Sequence, residues 1–275
     1  MNNERNNMVM TEAEEKYCIA LYMFFGKGEI RNDAHLGVAY AKNAANLGCV
    51  HANFLLGTVY RDGICGIEKD EDEAKRWFGK GADLGSVESH MALAHMLLGK
   101  DDITALSHLI LVEEEGKLHG DAYHMLSTIY ANSETVRKDF NKVFHYAKLS
   151  LANGDERGLG YLAHCYRFGL GVGKDVEVAD GYYRLLADWC RRENDYRAMY
   201  ECGMVEYIGK EAGPNYERAF RHFLIAAQGG EVRAMQMVAK MYKKGQGTQP
   251  NRAEFRHWRD LAVTMQKGGA KFTFF

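Results

Sequence analysis

From Ala52 to Gly85, small and apolar residues recur three and four positions apart in two blocks split by a glycine turn. Ala52, Leu56, Gly57 and Tyr60 share one face, Ala74, Trp77, Gly81 and Ala82 share another, and Gly63 and Gly66 lie between them. Each block predicts a short amphipathic helix. Asp70 stands where the second helix needs an N-cap, and Gly85 where it needs a left-handed C-cap. A hairpin of this size cannot bury its own apolar face, so the pattern predicts stacked copies.

The copies are present along most of the chain. Writing n for the position that opens each one, small in all but the first, n falls at Glu15, Ala52, Ser89, Ala122, Gly158, Ala198 and Ala234, a spacing of 33 to 40 residues. Position n+5 is always small: Ala20, Gly57, Ala94, Ser127, Ala163, Gly203 and Ala239, as a close helix crossing requires. Position n+8 is Tyr60, Tyr130, Tyr166 and Tyr242 in four copies and Met23, Leu97 and Glu206 in the others, with Tyr207 a candidate to replace Glu206. Asp33, Asp70, Asp139, Asp175 and Asn251 predict the starts of second helices, and Gly48, Gly85, Gly154 and Gly230 their ends. The third copy has a shortened turn and an end that falls at either Gly116 or Gly120, and the fifth replaces its terminal glycine by Asn194-Asp195. The expectation is fourteen helices in seven units near 11–48, 49–85, 86–120, 121–154, 155–194, 195–230 and 231–267.

These residues resemble the Sel-1-like repeat, a relative of the tetratricopeptide repeat with the pattern A-x-x-x-L-G-x-x-Y-x-x-G-x-G-V, then D and K-A-x-x-W-x-x-K-A-A-x-x-G. Ala52–Gly85, Gly158–Asp175 and Ala234–Gly247 follow it most closely, and the resemblance runs from Thr11 to Lys267. It implies an all-α fold, a right-handed α-α superhelix or solenoid of about seven repeats, and a role as an interaction scaffold or adaptor. Some members with cysteine-paired repeats are linked to β-lactam binding. Here Cys18, Cys49, Cys65, Cys165, Cys190 and Cys202 share no common repeat position. That spacing points instead to a reduced, cytoplasmic protein.

Composition narrows the picture further. A net charge of -2 argues against nucleic-acid binding, and no apolar run approaches the roughly 18 residues of a membrane span. Residues 1–10 carry no apolar signal-peptide core and are expected to form a disordered tail. Residues 268–275, with Phe272, Phe274 and Phe275 after Gly268-Gly269, are expected to fold back as a cap on the last helices.

Searches for catalytic chemistry find little. Gly169–Asp175 has the glycines and lysine of a phosphate loop, but Phe168 stands in place of the first glycine and Asp175 in place of the hydroxyl, so the repeat turn explains it. His90 and His95, like His119 and His124, are five apart rather than the four that would share a helix face. No catalytic residue, metal site or cofactor is expected.

By analogy with tetratricopeptide arrays, the first helix of each repeat should line an inner wall at n-1, n+2, n+6, n+9 and n+10. Those positions place an apolar end at Tyr17, Phe24 and Phe54. They place a basic end at Arg157, His164, Arg167, Arg197, Tyr200, Arg233, Gln236, Lys240, Lys243 and Lys244. The expected partner is another protein or a peptide, gripped by a monomeric chain through an acidic segment. A toxin-neutralising (immunity) protein or a secreted effector would use the same groove. A hydrolase acting on a β-lactam or cell-wall fragment is the less favoured reading.

Overall fold

The computed structural model describes residues 10–26, 33–209 and 213–268. The expected N-terminal tail up to residue 9, and the aromatic tail from residue 269, lie outside the described residues. Among the described residues the fold is all-α, with fourteen α-helices and no strand. The helices are α1 (Glu12–Phe25), α2 (Ala34–Asn46), α3 (Val50–Asp62), α4 (Glu71–Asp83), α5 (Val87–Leu97), α6 (Asp102–Glu114), α7 (Gly120–Asn132), α8 (Phe140–Ala152), α9 (Gly158–Phe168), α10 (Val176–Glu193), α11 (Arg197–Ile208), α12 (Tyr216–Gln228), α13 (Val232–Lys244) and α14 (Arg252–Gly268). They pack as successive helix-turn-helix pairs and fall into two compact units, residues 1–118 and 119–275.

Local chemistry sets each pair. The carboxylates of Asp33, Asp70, Asp139 and Asp175 accept from backbone amides of the first turns of α2, α4, α8 and α10, as their position predicts. Asp101 and Asn215 do the same for α6 and α12, and the Asn251 side chain accepts from Ala253 and Glu254 at the start of α14. A second bond recurs at the base of the turn. The backbone N–H of the capping residue donates to the carbonyl of residue n+8: Asp70 to Tyr60 (2.9 Å), Asp101 to Leu97 (2.8 Å), Asp139 to Tyr130 (3.3 Å), Asp175 to Tyr166 (2.8 Å), Asn215 to Glu206 (2.8 Å) and Asn251 to Tyr242 (3.1 Å). What repeats at n+8 is thus a backbone acceptor, which explains why tyrosine, leucine and glutamate all serve there.

The small residue at n+5 is buried in every copy, and its size matters most where it is glycine. A Cβ on Gly57 would stand 2.5 Å from the Phe78 ring, and one on Gly203 would stand 2.6 Å from the Phe223 ring. Both phenylalanines are fully buried. Gly116, at φ +68°, follows the end of α6, so it closes the third pair, and Gly120 opens α7. Asn194 takes over the terminal role in the fifth pair at φ +52°, the one non-glycine residue with positive φ among the described residues.

Candidate functional site

The residues of the basic end all belong to the second compact unit and are carried mainly by α9, α11 and α13. Of these residues the structure brings Tyr200 and Arg233 into contact, while Lys240 packs on Tyr207. The Arg233 guanidinium lies 4.3 Å from the centroid of the Tyr200 ring, and the Lys240 ammonium 5.1 Å from that of Tyr207. Arg233 also pairs with Glu231 at 2.9 Å and with Glu201 at 3.6 Å. Burial pushes the Glu201 carboxyl above its ordinary range, against the pull of Arg233. The Glu231 bond holds the guanidinium of Arg233 in its charged form. The surface between α11 and α13 is therefore a mixed stripe of arginine, lysine, tyrosine and glutamate.

Gln236, Lys240 and Lys244 are exposed along α13, and Arg197 is exposed at the start of α11. Among the described residues, Arg197, Lys240 and Lys244 take part in no ion pair. The remaining members of the basic set are placed otherwise. Lys243 leans toward its own repeat partner, 5.6 Å from the centroid of Phe255 on α14. Arg157 is bound to Asp155 and lines a cleft of about 590 Å³ with Asp121, Glu156, Glu193 and Asp195, so its surroundings are acidic. The bond to Asp155 keeps the Arg157 guanidinium firmly charged. His164 is half-buried, its ring 4.8 Å from that of Phe168.

Arg167 requires a correction. Its side chain is only 16% exposed and its Nε donates to Glu206 at 3.2 Å, while Glu206 itself is almost fully buried. Removing a carboxylate from water demands a paired and hydrogen-bonded cation. Arg167 supplies that charge and is committed to the interior. Tyr207 does not take over the n+8 place: its ring packs edge-on against Tyr216, and Glu206 keeps the position and its carbonyl bond. The middle of the wall is self-satisfied as well. The Tyr161 hydroxyl donates to Thr128 Oγ1 at 3.1 Å and accepts from Asn132 Nδ2 at 3.0 Å, and burial pushes its pKa up to about 12.

The apolar end belongs to the first unit, and here too packing claims the side chains. Phe24 is 1% exposed and sits in a core with Ala20, Val38 and Leu56, so it has no surface to offer a partner. The physical reason is that α1 turns its n+9 position onto α2, where Phe24 fills the space beside Gly37. Tyr17 is half-buried against His51 at 6.0 Å, and Phe54 against Phe78 at 5.7 Å. Among the described residues, Tyr22 and Phe25 are the exposed aromatic rings of α1.

The stretch Gly169–Asp175 is the turn between α9 and α10, with Gly169 as C-cap and Asp175 as N-cap. Among the described residues, no group of three histidine, cysteine, aspartate or glutamate side chains is arranged to hold a metal ion. Burial pushes the thiols of Cys165 and Cys190 up to about 12 and about 11. No helix is long and apolar enough to cross a membrane among the described residues.

Sequence reasoning missed the Arg167–Glu206 pair, although the register held a signal for it. The two residues are 39 apart, at n+9 of one repeat and n+8 of the next. Equivalent heights on adjacent first helices become neighbours, which a reading along each helix alone does not show.

The Sel1 repeat profile matches residues 11–49, 50–86, 120–155, 157–188, 197–231 and 232–257. An uncharacterised protein of Neisseria meningitidis serogroup B, NMB1327, is 26% identical over 84% of this chain and 54% of its own length. The ERAD-associated E3 ubiquitin-protein ligase component HRD3A of Arabidopsis thaliana is 26% identical over 74% of this chain and 26% of its own. The chain thus spans about half the length of one of these curated relatives and about a quarter of the other. Two crystal structures share the fold. One is c5321, a protective antigen of uropathogenic Escherichia coli with an SLR fold, at 22% identity, TM-score 0.61, and coverage of 93% of this chain and 54% of that one. The other is a Sel1 repeat protein of Oxalobacter formigenes at 20% identity, TM-score 0.59, and coverage of 92% and 73%.

Proposed function

Since the chain belongs to the Sel1 repeat family, whose members mediate protein–protein interaction, we propose that it is an interaction scaffold. Its contact surface is the stripe between α11 and α13, and its partner is a protein or peptide with an acidic segment. One observation carries this reading. Arg197, Lys240 and Lys244 are exposed and take part in no ion pair, beside the half-buried rings of Tyr200 and Tyr207. Half-buried aromatic rings and arginines are enriched at interfaces, and cations that no carboxylate claims give the charge complementarity that an acidic partner needs. Glu201 and Glu231 around Arg233 fix that guanidinium in place and oppose a partner of uniformly negative charge. The expected ligand is therefore an extended segment that sets carboxylates against Lys240 and Lys244 and an apolar group against Tyr200.

The reading favours binding over catalysis. The most buried thiols are protonated well above neutral pH, and Arg167, Tyr161 and Phe24 serve the fold. Affinity purification from the source cell, with wild type beside a Lys240→Glu, Lys244→Glu variant, tests it directly. A partner retained by wild type, lost by the folded variant and weakened by added salt is expected. A partner held equally by both would remove the stripe from consideration.

A further inference from the structure

A second polar surface lies away from that stripe, between the second helices of two adjacent repeats. Asp180, Arg184, Ala187, Asp188 and Arg191 of α10 face Arg218, Arg221, His222 and Ile225 of α12 across a cleft of about 770 Å³. The spacing on each helix explains the arrangement: 218, 221, 222 and 225 fall on one face, as do 180, 184, 187, 188 and 191. Met199 of α11 and Glu177 and Tyr183 of α10 complete the lining.

His222 is the unusual member. It is 7% exposed, its ring centre lies 4.6 Å from that of Tyr183, and neither ring nitrogen has a hydrogen-bond partner. A buried polar side chain with two unmet bonds is costly and demands an explanation. Its neighbours are unevenly committed. Arg218 grips Asp180 through both of its terminal nitrogens, and Arg191 pairs with Asp188. Arg184 and Arg221 are exposed and take part in no ion pair among the described residues. Two guanidinium groups without a carboxylate line the same cleft as a histidine that lacks partners.

We propose that the cleft between α10 and α12 is a second binding site, and that it takes a glutamate side chain of a partner protein. A carboxylate that accepts one N–H from each of Arg184 and Arg221 keeps lone pairs to accept the N–H of His222. The methylene stem would lie on Ala187, Met199 and Ile225, the apolar part of the lining. Glu177, Asp180 and Asp188 surround the same space and penalise a dianion, so a singly charged group fits better than phosphate. This site uses none of the residues of the α11–α13 stripe and stands or falls separately from it.

The test is histidine-selective NMR of the full chain with Ac-Glu-Glu-Glu-NH2 as probe and His222→Phe to assign the resonance. A saturable shift of the His222 signal is expected with the glutamate tripeptide and none with Ac-Gln-Gln-Gln-NH2. Arg184→Gln with Arg221→Gln, both exposed changes, should weaken that binding about tenfold, while Lys240→Glu with Lys244→Glu should leave it unchanged. A stationary His222 signal, an equal shift with the glutamine peptide, or full binding by the arginine variant would overturn the proposal. So would inorganic phosphate that binds there at lower concentration than the glutamate peptide.

Discussion

The second and third repeats build the same object from different parts. In the second, α3 and α4 cross at Gly57 beneath Phe78, and Phe54 packs on that ring at 5.7 Å. The turn between Asp62 and Glu71 contains a left-handed Gly63 and a short 3-10 segment at Ile64–Gly66. In the third, α5 and α6 cross at Ala94, and the turn from Leu97 to Asp102 is abrupt, with Leu98 extended. Among the described residues no phenylalanine, tyrosine or tryptophan pair joins its helices. His90 and His108 do so instead, Nδ1 to Nδ1 at 2.9 Å, one ring donating and the other accepting. The family profile passes over residues 87–119, yet the helix pair there is complete. The difference teaches that the family signature and the physical requirement overlap only partly. A small crossing residue, a left-handed turn glycine (Gly63 and Gly99), an aspartate cap and the bond to the n+8 carbonyl are common to both; the aromatic residues and the length of the turn are one solution among others.

The largest expected effect breaks the comparison at the crossing. Gly57→Ala would drive a methyl group into the Phe78 ring and should destabilise the fold by about 2–3 kcal/mol. Ala94→Gly in the third repeat should cost about 1 kcal/mol, through backbone entropy. Denaturant unfolding of both variants measures the gap, and equal losses would erase the distinction.

The caps should behave alike despite the unlike turns. Asp70→Ala and Asp101→Ala should each cost about 1 kcal/mol, read by the same unfolding curves. A loss confined to Asp70→Ala would show that the short turn does not rely on its cap.

Acidification should separate the two repeats without any mutation. Burial, and then the neighbouring His90, hold the His108 imidazole below the ordinary histidine value. The unfolded chain therefore binds the proton more readily, and stability is full above the ordinary value and declines as pH falls through it toward the depressed one. Amide exchange between neutral pH and pH 5 should show protection falling in α5 and α6 before α3 and α4. His108→Gln should remove that order, and uniform loss of protection would count against the pair. The smallest effect belongs to Lys240→Glu with Lys244→Glu, which should leave stability within about 0.5 kcal/mol of wild type. A larger loss would mean that these lysines serve the fold rather than a partner.

The helix pairs were legible in the sequence because their determinants are local and periodic. Asp33, Asp70, Asp139 and Asp175 lie where they cap, and Ala20, Gly57 and Ala163 lie where helices cross. The binding wall was less legible, because the fate of a long side chain is decided by the neighbouring repeat. Arg167 looked like a free cation until Glu206 was seen beside it, and Phe24 looked like an exposed ring until α2 covered it. His222 gave no signal at all, since only the pairing of α10 with α12 makes its lack of partners visible.

The bond from the capping residue to the n+8 carbonyl, made in six of the helix pairs, has a consequence for how such a chain changes over generations. It closes the turn at its root, so whatever lies beyond it does not steer the next helix. The chain already exploits this, because the abrupt turn at Leu98–Asp101 and the longer one at Gly63–Asp70 end in the same closure. Growth and aim are thereby decoupled. A lineage can lengthen or reword a rim loop, and so alter what the edge of the stack displays, while the rise from one layer to the next stays fixed.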